Sequence, residues 1–258
     1  MIYETLTYGI DHDIAVITLN RPTVMNALNT QMRAEITDAM CQAGQTARVV
    51  VVTGSGRAFC SGQDLGAEGN FADIDLERTL KDEYVPMLKA ITECPVPTIS
   101  AVNGPAAGAG ANLALAADVV IAAESAYFVQ AFTRIGLIPD AGGTYLLPRQ
   151  MGLAKAMGAA LFADKIYARQ ASEMGMIWES VADEKFAAQW QARAEHLASG
   201  PTETYCHVKT AIRQSFSNSE EDQLELEARL QGACGRTRDF KEGVTAFLDK
   251  RIAKFEGR

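Results

Sequence analysis

The chain has 258 residues, enough to bury a substantial core in one large domain or in a domain with a helical tail. Its 24 basic against 32 acidic residues leave a net charge of −8, with no strong basic block before the last residues, which opposes nucleic acid as a partner. The longest apolar stretch, 113–123, is broken by Asp118 and too short to span a bilayer; with no leader pattern after Met1, a cytoplasmic protein without membrane contact is expected.

Residues 1–10 read as a strand, and 14–19 is a β-branched run ending at the turn signal Asn20-Arg21-Pro22. Asn29 or Thr30 caps a helical stretch to about residue 41, closed by Gly44. Residues 49–52 form a continuous apolar strand, expected in a sheet covered on both faces, and the turn Gly54-Ser55-Gly56 follows. Segment 66–75 is polar and weakly patterned, hence the candidate mobile loop, and a helix is expected over 75–92. Strands at 98–102, led in by Pro95-Val96-Pro97, and at 119–122 complete a rhythm that argues for an α/β core. From about Gly143 the pattern turns helical, over 154–162, 183–199, 202–216, 220–232 and 238–255, without strong strands. Ser199-Gly200-Pro201 breaks the helices and sets a boundary near residue 200.

Three stretches carry candidate chemistry. The first is Ala58-Phe59-Cys60-Ser61-Gly62-Gln63-Asp64-Leu65, where small residues let a backbone approach a ligand and present N–H groups; a long surface turn is the plainer reading. The second is Val102-Asn103-Gly104-Pro105-Ala106-Ala107-Gly108-Ala109-Gly110-Ala111-Asn112-Leu113, a strand, a tight turn and a small-residue run opening a helix. Its first N–H groups suit a phosphate or a developing oxyanion, and close helix packing explains the same residues. It matches neither the dinucleotide fingerprint nor a Walker motif. The third is Ile135-Gly136-Leu137-Ile138-Pro139-Asp140-Ala141-Gly142-Gly143-Thr144. Asp140 is there either a turn or cap carboxylate or a base whose pKa is raised in an apolar pocket.

The five cysteines are odd in number, scattered and without a Cys-x-x-Cys pair, so reduced thiols are expected and no metal site. Cys60 reads as a small buried thiol beside a glycine turn rather than a nucleophile. His12, His196 and His207 fall outside the motifs, against a Ser-His or Cys-His triad.

In order and spacing these stretches resemble the enoyl-CoA hydratase/isomerase (crotonase) family over essentially the whole chain. Ala58 to Leu65 is similar to its Ala-Phe-x-x-Gly-x-Asp-Leu segment, and Asn103-Gly104 to Gly110 to its glycine-rich one. Gly142-Gly143-Thr144, Asn20-Arg21-Pro22 and the ending Ala246-Phe247-Leu248-Asp249-Lys250-Arg251 also fit. The resemblance implies an α/β fold: a ββα spiral core, 1–199, with a C-terminal helical region, 200–258, that packs in homotrimers, often paired into homohexamers. It implies an acyl-CoA thioester substrate, with coenzyme A as part of the substrate and no separate cofactor. The N–H groups of Gln63 and Ala109 would form an oxyanion hole for the thioester carbonyl, with Gly62, Gly108 and Pro139 at the substrate. Asp64 and Leu65 would line the coenzyme A path. Phe247 and Lys250 would reach the coenzyme A of a neighbouring subunit, although Lys250 also reads as a solvated helix charge.

The family's hydratases use two glutamates, and their pattern puts Asn112 and Phe132 at those positions; neither is an acid or base. Asp140 instead resembles the carboxylate of several isomerases, which implies a double-bond shift with Asp140 as the shuttling base. The stretches Phe128-Val129-Gln130-Ala131-Phe132, Leu146-Leu147-Pro148-Arg149 and Gly175-Met176-Ile177-Trp178 look like the 1,2-epoxyphenylacetyl-CoA isomerase branch. That branch implies rearrangement of a ring epoxide to an oxepin, with Phe132 either in an apolar wall beside the ring or simply in the core. A hydratase would need a second carboxylate, such as Glu124 or Glu173, close to Asp140. A dehalogenase-like reaction lacks an evident histidine base. A non-enzymatic RNA-binding role is the alternative from another class, and a salt-dependent gel shift would detect it.

Overall fold

The computed structural model describes residues 2–66 and 75–258. The expected loop 66–75 therefore lies, but for its two ends, outside the described residues.

The chain opens with a hairpin of β1 (Leu6–Asp11) and β2 (Ile14–Leu19), antiparallel with Leu6 opposite Leu19. His12 and Asp13 turn it with φ of 47° and 63°, the backbone hand that matches strand twist in two-residue hairpins. Alternation then puts Ala15, Ile17 and Leu19, all fully buried, on one face of β2. Helix α1 (Thr30–Thr46) is capped by the Asn29 side chain, which accepts from Met32 N–H. It passes through Gly44 instead of stopping there, because that glycine makes room for a neighbour: a Cβ would sit 2.8 Å from Pro95. Strand β3 (Val49–Gly54) is buried through all four valines, as a strand covered on both faces must be.

One helical run follows, made of α2 (Leu76–Thr79), a π turn (Leu80–Tyr84) and α3 (Val85–Thr92), with Asp75 as its cap. Then come β4 (Thr98–Val102), β5 (Ala106–Ala107), α4 (Ala109–Leu115), β6 (Val119–Ala123) and β7 (Tyr127–Val129). Helices α5 (Gly143–Met151) and α6 (Leu153–Phe162), strand β8 (Ile166–Tyr167), helix α7 (Ala168–Glu173) and strand β9 (Glu179–Val181) precede the final helices. These are α8 (Asp183–Ala198), α9 (Thr202–Gln214), α10 (Glu220–Cys234) and α11 (Arg238–Leu248).

The main sheet has the order β1-β2-β3-β4-β6-β9, parallel from β2 onward, and β5-β7-β8 form a small second sheet. Helix α8 packs over β2, β3, β4 and β6, while α1 packs on β1 to β3 and on α3. Each fully buried valine or leucine between these layers contributes about 1.5–3 kcal/mol.

Two expectations for the second half need correction. Strands do occur there, as β8 and β9; at two and three residues they are too short to show a period and exist through their partners. The last helix ends at Leu248 rather than near 255, since Lys250 turns into left-handed backbone at φ 54°. The tail is then strapped back: Asp239 accepts from the N–H groups of Glu256 and Gly257 at 2.7 and 2.8 Å. No helix of the described residues is long and apolar enough to cross a membrane.

Candidate active site

The loop after β3 is held by residues far away in sequence. Buried Asn26 donates through Nδ2 to the carbonyls of Ser55, Ala58 and Phe59 at 3.0, 2.9 and 3.1 Å. Arg21, from the Asn20-Arg21-Pro22 turn, donates to the Ala27 carbonyl and pairs with Asp64, the latter at 2.7 Å. The Asp64 carboxylate is thus turned to Arg21, and the residue does not line the cavity described below. Asn26 went unnoticed in the sequence, because nothing local marks a side chain that ties down a loop about thirty residues on.

Beyond that anchor, Gln63 forms a parallel bridge with Leu28: Leu28 N–H donates to the Gly62 carbonyl at 2.8 Å and Asp64 N–H to the Leu28 carbonyl at 3.0 Å. A parallel bridge of this kind uses the groups flanking Gln63, so the N–H of Gln63 itself faces away from Leu28. On the loop's other side, Cys60 bridges to Ala106, and Ala107 N–H donates to the Cys60 carbonyl at 2.9 Å. These pairings bring the loop against the start of α4. A Cβ on Gly62, whose φ is 90°, would lie 2.8 Å from the Ala107 carbonyl and 3.4 Å from Ala109 N. Only glycine permits that approach. Ala109 is the first residue of α4, so its N–H has no intrahelical acceptor.

Phe132 closes the next side. It is buried at 7% exposure, and its ring edge comes within 3.7 Å of where a Gly108 Cβ would stand. Asp140 faces the same space from the turn before α5. The N-cap of α5 is Gly142, without a side-chain bond, so Asp140 is not a cap; its Oδ1 is buried without a partner. Burial pushes its carboxyl up to about 6, against the smaller, lowering effect of its own backbone hydrogen bond. The main-chain carbonyl of Asp140 accepts from Gly143 N–H at 2.8 Å and from Asn112 Nδ2 at 2.7 Å.

The fourth side comes from the 76–92 helix, whose Leu76, Thr79, Leu80 and Tyr84 reach the cavity. The Tyr84 hydroxyl donates to Gln63 Oε1, which also accepts from Arg33 Nη1 at 2.8 Å. Nothing in the sequence singled these residues out, yet a π turn is a recurrent mark of functional sites, and one runs from Leu80 to Tyr84.

The result is a cavity of about 130 Å³ that gathers Gly62, Gln63, Leu65, Gly108, Ala109, Phe132 and Asp140. Asp140 is the only carboxylate among the described residues lining it. Pro139 is buried and is not part of the lining. Phe247 and Lys250 do not line it either; Phe247 is 83% exposed on α11. Glu124 pairs with Arg169 at 2.7 Å, and neither it nor Glu173 is in the lining. Cys60 is buried, its thiol pushed up to about 12, which leaves it un-ionised and unsuited to attack. A larger groove of about 1070 Å³ between the β1–β2 turn, α8 and the chain tail holds none of the motif residues.

Comparison with known proteins covers the whole length. The family model described as enoyl-CoA hydratase/isomerase matches residues 9–258. A Rhodobacter capsulatus protein named a probable enoyl-CoA hydratase is 60% identical over 258 residues, covering 100% of both chains. The 1,2-epoxyphenylacetyl-CoA isomerase of Escherichia coli is 44% identical over 260 residues, covering 99% of each. A solved structure from Mycobacterium abscessus, described as an enoyl-CoA hydratase/isomerase, has a TM-score of 0.93 at 37% identity, over 98% of this chain and 100% of that one.

Proposed function

The chain belongs to the enoyl-CoA hydratase/isomerase family, and from that premise we propose that it is an acyl-CoA isomerase, shifting a double bond through an enolate with Asp140 as the base. The observation that carries this reading is the single carboxylate that the described residues bring to the cavity, Asp140, half-buried, with a buried, unpartnered Oδ1 and a pKa raised to about 6. One such group suffices to move a proton between two carbons; adding water across a double bond takes a placed water and a second acid or base.

In the proposed reaction the thioester oxygen lies between the N–H groups of Gln63 and Ala109. The Asp140 carboxylate takes a proton from the acyl chain, and the bonding pair moves onto the thioester oxygen as an enolate. The two N–H groups stabilise that charge, each supplying on the order of 3 kcal/mol. The protonated Asp140 then returns the proton to another carbon, and the pair re-forms the carbonyl with the double bond displaced. Protein and substrate suffice to balance the step.

The acyl group that fits best is a single ring. A cavity of about 130 Å³ lined by Leu65, Leu76, Leu80, Phe132, Ile135 and Leu137 is close in size to an apolar cavity of roughly 150 Å³ known to take up benzene. A ring-derived CoA thioester, with its epoxide rearrangement as related chemistry, is therefore the proposed substrate class, in line with the name of the Escherichia coli relative. The coenzyme A would run past Leu65 at the cavity edge. A homotrimer or homohexamer is proposed as the assembly, since Val208, Ile212 and Phe216 on and after α9 and Phe247 on α11 leave apolar surface exposed.

Hydration is the second reading, favoured by the name of the Rhodobacter relative. An activity panel separates the two: crotonyl-CoA, 3-enoyl-CoAs and a ring-derived CoA thioester, each followed for water addition and for double-bond shift. Isomerisation should dominate. Faster hydration of crotonyl-CoA than any isomerisation would end the proposal.

A further inference from the structure

We infer that Asn112 and Gln130 form a positioning strut that sets where the Asp140 carboxyl stands, an inference resting on the assignment of Asp140 as the base. Asn112 is fully buried on α4; its Nδ2 donates to the Asp140 main-chain carbonyl at 2.7 Å, and its Oδ1 accepts from Gln130 Nε2 at 2.9 Å. The direction of these bonds is forced. A carbonyl only accepts, so Asn112 must turn its NH₂ toward it; its oxygen then faces Gln130, which must present its own NH₂.

Gly143 completes the clamp. Its N–H donates to the same carbonyl at 2.8 Å, and a Cβ there would lie 2.4 Å from Asn112 Nδ2, so the strut and a side chain at 143 exclude each other. The Asp140 carboxyl, by contrast, has a buried Oδ1 without a partner. Its position therefore follows from the main chain, and the main chain is held by Asn112 and Gly143. The family resemblance aligns Asn112 with a glutamate of the hydratases. An ionised glutamate has no proton to donate to a carbonyl, so a glutamate at 112 would leave the Asp140 carbonyl without this donor.

The surroundings make the strut measurable. Among the described residues, the titratable group that faces Asp140 is Tyr84, from the π turn; burial keeps that phenol protonated, and no charged neighbour among them contributes to the raised Asp140 carboxyl. A carboxyl freed to swing toward water should fall back toward the ordinary carboxylate range.

The test combines kinetics with ¹³C NMR titration of aspartate-labelled enzyme, Asp140→Asn assigning the resonance. In Asn112→Ala, kcat should fall ~30- to 100-fold, since misplacement of about 1 Å has that effect. KM should stay within about threefold, as expected for a group that touches no substrate. The Asp140 midpoint should drop well below that of the parent enzyme. Gln130→Ala should move both readouts less and in the same direction, and it carries the test alone if Asn112→Ala does not fold. An unchanged midpoint and kcat in a folded variant, or a change in KM alone, would overturn the strut. An active Asp140→Asn enzyme would instead remove the base assignment, while the titration still reports whether Asn112 holds the carboxyl.

Discussion

Arg33, whose side chain is shut off from solvent, donates to Gln63 Oε1 at 2.8 Å and pairs with Glu83 at 2.6 Å. One guanidinium thus joins α1, the π turn and the loop that carries Gln63. Its Nη1 also bonds the Leu28 carbonyl at 2.8 Å, the same carbonyl that accepts from Asp64 N–H. Replacing it by methionine keeps the bulk and strips the bonds, leaving Glu83 without its countercharge. Arg33→Met is expected to cost about 3 kcal/mol in urea unfolding. If stability is unchanged, the buried pair does not hold the loop.

The Asp140 carboxyl should set both activity and stability. Asp140→Asn removes the base while leaving the Gln63 and Ala109 N–H groups, so turnover should fall ~10²- to 10⁴-fold. Acyl-CoA affinity should barely change. Unaltered turnover would remove Asp140 from the mechanism.

The same substitution should stabilise the fold, with a definite pH dependence. In the folded state the carboxyl is raised from 3.8 to about 6, so the native state holds its proton more tightly than the unfolded chain. The associated stability is present below 3.8 and lost as pH rises through about 6. Above that, burying the carboxylate costs about 1–2 kcal/mol after allowance for partial solvent access. Asp140→Asn should therefore melt higher than the parent at about pH 8 and close to it at about pH 3. Equal melting at both would mean the carboxylate is well solvated.

In the proposed reaction the unprotonated carboxylate is the active form. The rate constant kcat/KM should climb with pH through a midpoint near the free-enzyme value of about 6 and level off above it. A profile flat from pH 5 to 8 would exclude a buried carboxylate as base.

Gly62 tests the approach of the two N–H-bearing segments. A methyl group there would lie 2.8 Å from the Ala107 carbonyl, at a φ of 90° that side chains rarely adopt. Gly62→Ala should displace the Gln63 N–H from Ala109 and reduce kcat ~100-fold, the usual effect of losing one oxyanion donor. A variant with parental kcat would show that the spacing of these segments is immaterial.

Much of the frame was legible because it rests on local rules. The β-branched run of β2, the four valines of β3 and the Asn29 cap of α1 all announced themselves. The long C-terminal helices declared their spacing through polar–apolar periodicity, and their starts at Asp183, Thr202, Glu220 and Arg238 emerged where the pattern put them. Strands β5, β7, β8 and β9 did not, since two or three residues carry no period.

By itself the amino-acid sequence marked two small-residue stretches able to present N–H groups and one carboxylate after a proline, Asp140, and the family resemblance pointed to Gln63 and Ala109 within those stretches. Tertiary structure decided what each of those groups faces. It turned Asp64 onto Arg21, 43 residues away, and left Phe247 exposed on α11. It also set Asn112 behind Asp140 and brought the π turn with Tyr84 across the cavity. The physical reason is range: capping, turns and periodicity act within a few residues, whereas desolvation and the partner of a buried polar group depend on segments that meet only once the chain has packed.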